Sequence, residues 1–204
     1  AAMDFTPTEA QQAVADLAGR IMDDHLDMER HASIEAAGDW FDRNLWEDLA
    51  KAGLLGIALG TDVGGGGLDA VALAVLLRTQ GEHVAPLPLL PSSVAAILVD
   101  RHGSEEQRSR LLPDVAVGLT VLTIAVQEFL NDRLSEPSTT FDGGRLRGTK
   151  VVVEHLDAGA IELLPILVER RHHVAFDARD HGVAHFLDAA EVEEGDAAVV
   201  EEAV

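Results

Sequence analysis

With 204 residues, 47% of them hydrophobic, the chain is long enough to bury one good core or two small ones. Fifteen Lys and Arg against 36 Asp and Glu leave a formal charge of -21, a surface that repels nucleic acid and anionic membranes and excludes both as partners. The absence of cysteine excludes disulfides, zinc-thiolate sites and thiol catalysis, and it fits a reducing cytoplasm.

Thr6-Pro7-Thr8-Glu9 predicts the start of a first helix: Thr6 caps, Pro7 suits the first turn, and Glu9 reaches back to complete a capping box. Ala13, Leu17, Ile21 and Met22 then recur at helical spacing. Asp42 opens a second helix with Leu45, Trp46, Leu49 and Ala50 on one face, and Gly53 closes it. LLGIAL reads as a connector or a buried strand-like piece, and Gly64 to Gly67 as a flexible turn. Asp69 caps a third helix, whose Val71, Leu73, Ala74, Leu76 and Leu77 make it apolar nearly all round and predict a central place in a bundle. PLPLLP from Pro86 interrupts, SSVAAILVDRHG forms a fourth helix ending at Gly103, and Ser104 with Gln107 opens a short helix that Pro113 stops.

From Thr120 the period changes. TVLTIAV, RLRGTKVVVE, IELLPILVE and HHVAFDA are β-branched or alternating segments divided by Gly, Asp and Pro. The expected fold class is α+β: an N-terminal helical bundle over 1–118, then a small antiparallel β domain over 119–190. Residues 191–204 are acidic, without Lys or Arg, and their AAVVEEAV is compatible with a helix start. LDAVALAVLL is too short to cross a bilayer, the first residues lack the basic-then-apolar order of a secretory leader, and no internal repeat is apparent.

No segment carries a self-evident catalytic constellation. The four glycines lack the preceding strand of a phosphate-binding loop, so a structural turn is the better reading. GGRLRGTK imitates a Walker motif loosely: Lys150 follows Thr149 instead of preceding it, and β-like sequence follows. His181 and His185 have the spacing of a zinc helix, yet Gly182 and Val183 argue against a helix there, and no Glu between them serves as a base. Adjacent His172 and His173 would face opposite sides of a strand. The doublets Glu105-Glu106, Glu193-Glu194 and Glu201-Glu202 read as solvated faces.

The order of short landmarks is the most informative feature. Met3-Asp4-Phe5 through Gln11 resembles an MDF-x-x-T-x-E-x-Q pattern. Leu45, Trp46, Leu49, Gly53, Leu54, Leu55 and Gly56 match LW..L...GLLG, and Gly64 to Asp69 match GGAGLD. Gly103 to Gln107 with Leu112-Pro113 match GSEEQK..LP, and Gly148, Thr149 and Lys150 match NGTK. Together they cover most of residues 3–155 and resemble the acyl-CoA dehydrogenase family of flavoproteins.

That resemblance implies FAD as cofactor, an acyl-CoA substrate, and α,β-desaturation with an electron-acceptor flavoprotein downstream. It places Val126, Gln127 and Glu128 on the first flavin-facing strand, and Val152, Val153 and Glu154 on the second flavin-facing segment. The family pattern Thr-Glu-Pro followed by Gly-Ser-Asp is here Gln127-Glu128-Phe129 followed by Leu130-Asn131-Asp132. Trp-Ile-Thr or Trp-Ile-Ser is here Val152-Val153-Glu154. A carboxylate near a flavin that gains negative charge sits poorly, unless Glu154 points to solvent, and losing the Trp removes an aromatic wall.

The family's C-terminal helical bundle, which carries the catalytic base in active members, would begin near Val204, so no catalytic residue is placed in this chain. Degraded flavin motifs resemble those of subunits in heteromeric, steroid-type members. A second dehydrogenase-like subunit is therefore implied as partner. A homomeric flavoenzyme with a divergent site and a structural subunit without flavin are the alternatives.

Overall fold

The computed structural model describes residues 6–38, 40–131, 133, 136–142, 145–153, 177–180 and 183–186. The chain divides into two compact units, one of Ala1–Leu90 with Leu112–Leu119 and one of Pro91–Leu111 with Thr120–Val204.

In the first unit, helix α1 spans Glu9–His25. Thr8, not Thr6, is its N-cap: the Gln11 N–H donates to Thr8 Oγ1 at 3.2 Å and the Thr8 N–H to Gln11 Oε1 at 3.0 Å. Both threonines have a polar partner three residues on, so spacing alone does not choose between them. The buried stripe is Val14, Ala18 and Met22, and Ala13 is exposed. Helix α2, Met28–Ala37, was not foreseen. Ile34 is its one buried residue, so it has almost no apolar stripe to read. Its boundaries are nevertheless punctuated, by Asp27 as N-cap and by Gly38 at φ 69°.

Helix α3, Arg43–Lys51, opens on Asp42 and buries Leu45, Trp46 and Leu49, as the periodicity predicts. Its end is a Schellman motif: Gly53, at φ 73°, donates its N–H to Ala50 O, and Leu54 donates to Leu49 O. LLGIAL is a connector of turns that leads to a 3-10 turn, Thr61–Val63. Helix α4, Ala70–Glu82, is capped by Asp69 as expected. It is not buried all round. Ala72, Leu73, Leu76 and Thr79 are buried while Val71 and Ala74 are exposed, because α4 packs through one face, onto α1. Met22, Leu45, Leu49 and Leu76 are fully buried, each contributing about 1.5–3 kcal/mol.

Helix α5 spans Leu89–His102 and α6 spans Glu105–Ala116. Pro91 occupies the first turn of α5, where a missing N–H costs no intrahelical bond, so α5 begins three residues ahead of Ser92. The capping box of Ser104 and Gln107 is formed. Pro113 does not stop α6: the helix runs past it to Ala116. A proline there forfeits one bond near the helix end, and burial of Leu111, Leu112, Val115 and Ala116 holds the last turn. Arg108 ties α6 back to Asp100 at 2.8 Å.

Strands β1 Thr140–Asp142, β2 Arg145–Val151, β3 Asp177–Asp180 and β4 Val183–Phe186 form an antiparallel sheet in the order β1-β2-β4-β3. Gly148 pairs with Phe186, Thr149 with His185 and Lys150 with Ala184. TVLTIAV is not a ladder strand: residues 120–127 run as irregular chain apart from a bridge position at Thr123. HHVAFDA overlaps β3 only at its last two residues, and IELLPILVE lies outside the described residues. His185 is a strand position of β4, not part of a zinc helix. His172, His173, His181 and the doublets Glu193-Glu194 and Glu201-Glu202 lie outside the described residues.

Candidate functional site

The four-glycine turn is not a phosphate cradle. The N–H groups of Gly64, Gly65, Gly66, Gly67 and Leu68 donate to carbonyls of Thr61, Gly60, Gly56, Leu59 and Ile57. A cradle needs such groups free to face an anion. The glycines are needed for close approach: a Cβ on Gly65 would lie 2.6 Å from Leu59 Cβ, and Gly64 and Gly67 have φ of 83° and 66°. No group of three or more His, Cys, Asp or Glu that would hold a metal occurs among the described residues.

Glu128 lies at the centre of the most organised polar cluster. Its carboxylate is buried and takes six donors. Oε1 accepts from Lys150 Nζ at 2.8 Å, from the Thr139 N–H at 2.9 Å and from Thr139 Oγ1 at 2.5 Å. Oε2 accepts from the Ser138 N–H at 2.6 Å, from Ser138 Oγ, and from Asn131 Nδ2 at 3.0 Å. Burial pushes this carboxyl up. The hydrogen bonds from Lys150, Ser138 and Thr139 outweigh it and hold the group well below the usual carboxylate range. Lys150 is buried with it.

Strand geometry accounts for the RGTK landmark here. Gly148 and Lys150 are two residues apart on β2 and share a face. Lys150 supplies the cation, and Gly148 leaves room for Thr139, whose Cα would stand 2.9 Å from a Cβ at that glycine. Two chain segments are thereby joined. The Val151 N–H donates to Gln127 O at 2.9 Å, and Lys150 Nζ lies 3.5 Å from Val126 O.

The structure thus brings together five of the six residues that the sequence marks for a flavin. Val126 and Gln127 are exposed, as is Val152, at 65%. Val153 is buried and anchors the second segment. Glu128 faces inward, its oxygens committed to its own chain. Glu154 lies outside the described residues. Val152 has φ 54°, a left-handed conformation that a β-branched residue rarely takes. The Gln127 amide offers both a donor and an acceptor. Lys150, the cation of the landmark, is spent on Glu128 and does not serve a phosphate.

Ser138 and Thr139 escaped the sequence reading. They lie 10 and 11 residues beyond Glu128, in an irregular stretch, and no spacing rule links them to it.

Comparison with known proteins follows the same landmarks. The model of the acyl-CoA dehydrogenase N-terminal domain matches residues 8–118. Acyl-CoA dehydrogenase FadE27 of Mycobacterium tuberculosis is 31% identical over 189 residues, which is 92% of this chain and 48% of that protein. A variant of the Tcur3481-Tcur3483 steroid ACAD shares 36% identity at a TM-score of 0.73, over 89% of this chain and 55% of that one. The ChsE4-ChsE5 complex of Mycobacterium tuberculosis shares 26% identity at a TM-score of 0.78, over 95% of this chain and 58% of that one. The chain spans about half the length of the curated relatives it matches.

Proposed function

The chain belongs to the acyl-CoA dehydrogenase family, and on that premise we propose that it acts as one subunit of a heteromeric, FAD-dependent acyl-CoA dehydrogenase. The observation that carries this reading is similarity over nearly the whole chain to a steroid ACAD and to the ChsE4-ChsE5 complex. Two different dehydrogenase-like subunits would then share the assembly. A bulky, steroid-derived acyl-CoA is the substrate class, and an electron-acceptor flavoprotein takes the electrons onward.

FAD, when bound, supplies the hydride acceptor for α,β-desaturation of the thioester. The residues of this chain bind and orient. Val126 and Val152 offer apolar surface to the ring, Gln127 offers its amide, and Val153 anchors its segment in the interior. Glu128 supports the segment from behind. Glu154, outside the described residues, stands where the family pattern has a hydroxyl residue, and a carboxylate facing the ring from there would disfavour negative charge on it. The α-proton is removed by a carboxylate, a role that none of these six residues takes.

A second reading has its own support. The Thr, Pro and Gly-Ser elements of the flavin motif are missing, and Lys150 is turned inward. Both favour a structural subunit that binds no flavin.

The test is an absorbance spectrum of the protein purified alone and with the product of the neighbouring gene. Flavin bands in the pair alone support the heteromer. Bands in the lone protein favour a homomeric enzyme. No flavin in the pair's stoichiometry attributable to this chain, by mutation of Val152 and Gln127, supports the structural subunit.

A further inference from the structure

We infer that Glu128 and Lys150 form a positioning pair, fixing residues 126–128 against 150–152 so that Gln127 and Val152 are presented together to a flat ligand. The inference deepens the flavin reading above and rests on it for the identity of that ligand.

The pair is an unusual way to hold two segments. A buried ion pair recovers its desolvation cost only when the remaining lone pairs are satisfied, and an apolar pair of equal size often stabilises as well or better. Here every remaining lone pair is met, by Ser138, Thr139 and Asn131. What the charges add is direction. Lys150 reaches both Glu128 and the carbonyl of Val126, and the Val151 N–H closes on Gln127 O one residue away. Register between the segments is therefore fixed on both sides of the junction. Immediately beyond it, Val152 is held at φ 54° with its side chain exposed, while Val153 turns inward. A strained, exposed valine persists where its surroundings over-determine it, and such residues cluster at ligand sites. Gly148 completes the device, since any side chain there would displace Thr139 from the carboxylate.

The experiment uses the longest natural chain with its partner. The double variant Glu128→Gln with Lys150→Met removes both charges and leaves no buried ion unpaired. Thr139→Val, a milder change that removes one donor, carries the same readouts should the double variant fail to fold. Lys150→Arg is the conservative control. In variants whose far-UV circular dichroism matches the wild type, FAD dissociation constants rise at least tenfold and the bound-flavin absorbance band loses its fine structure. Exchange of the Val151 amide hydrogen accelerates at least tenfold, and Lys150→Arg restores all three towards wild type. Unchanged FAD affinity and spectrum in a folded double variant overturn the inference. So does a Val151 amide that exchanges freely in the wild type. Flavin absent from wild-type protein and complex alike overturns the flavin reading itself, and the Val151 exchange rates then decide the positioning alone.

Discussion

At the scale of single residues, Glu128 is the clearest case of chemistry that the sequence marks and the fold redirects. Its match to the family pattern singles it out, and its six hydrogen bonds make it a support within its own chain. Lys150→Met would leave a carboxylate buried beside neutral donors only. Loss of one partner of a buried pair costs about 3–5 kcal/mol, so a urea midpoint well below wild type is expected at neutral pH. Acid tests the same carboxylate with a known sign. Its folded-state pKa is depressed from 4.5, so its contribution is fully present above the unfolded value and is lost as pH falls towards the folded one. The urea-midpoint gap between wild type and Glu128→Gln is expected to stay constant above about pH 5 and to narrow below it. A gap that narrowed between pH 8 and 6 would point to a different group.

At the scale of elements, the helix ends with a purely local signal were legible, while the starts of α1 and α5, the end of α6 and the extents of the strands were not. Asp42, Asp69, Gly53 and the Ser104-Gln107 box act within one turn, so four consecutive residues reveal them. Asp42 also does something no local rule shows. Its Oδ1 accepts from the Leu45 N–H at 3.2 Å and its Oδ2 from Arg30 Nε at 2.9 Å, which ties the start of α3 to α2. The two roles separate by mutation. Asp42→Asn keeps a good cap and loses the charge, while Asp42→Ala loses both, at about 2–4 kcal/mol. Thermal melts are expected to rank wild type, then Asp42→Asn, then Asp42→Ala; equal losses in the two variants would mean the cap contributes nothing. The faces of α1 and α4 were misjudged for a related reason. Val14, Ala18 and Met22 are buried because α1 packs against both α4 and α3, and that placement is not written in the period of α1.

At the scale of the molecule, a formal charge of -21 repels itself, with Asp42 paired to Arg30 and Asp100 to Arg108 among the described residues. Salt screens such repulsion, with a Debye length of about 8 Å at physiological strength. The melting temperature is expected to rise steadily as sodium chloride is added from low ionic strength. A fall would mean that attractive ion pairs outweigh the excess charge. For the activity, the isolated 204-residue chain is expected to give no steady turnover of an acyl-CoA with an artificial electron acceptor; measurable turnover would place a competent base within it.

Family and the helix punctuation at Asp42, Asp69, Gly53 and Ser104-Gln107 were readable from the chain itself, because each depends on residues close in sequence. The family landmarks are also local signals, and Gly53, Asp69 and the Ser104-Gln107 box keep in the structure the roles their spacing implies. Only the tertiary structure decided what Glu128, Lys150 and Gly148 do. Their partners Ser138 and Thr139 lie ten or more residues from Glu128, and burial converts a surface-type charge pair into a fixed joint. Proximity across such separations is created by folding, and no periodicity along the chain encodes it.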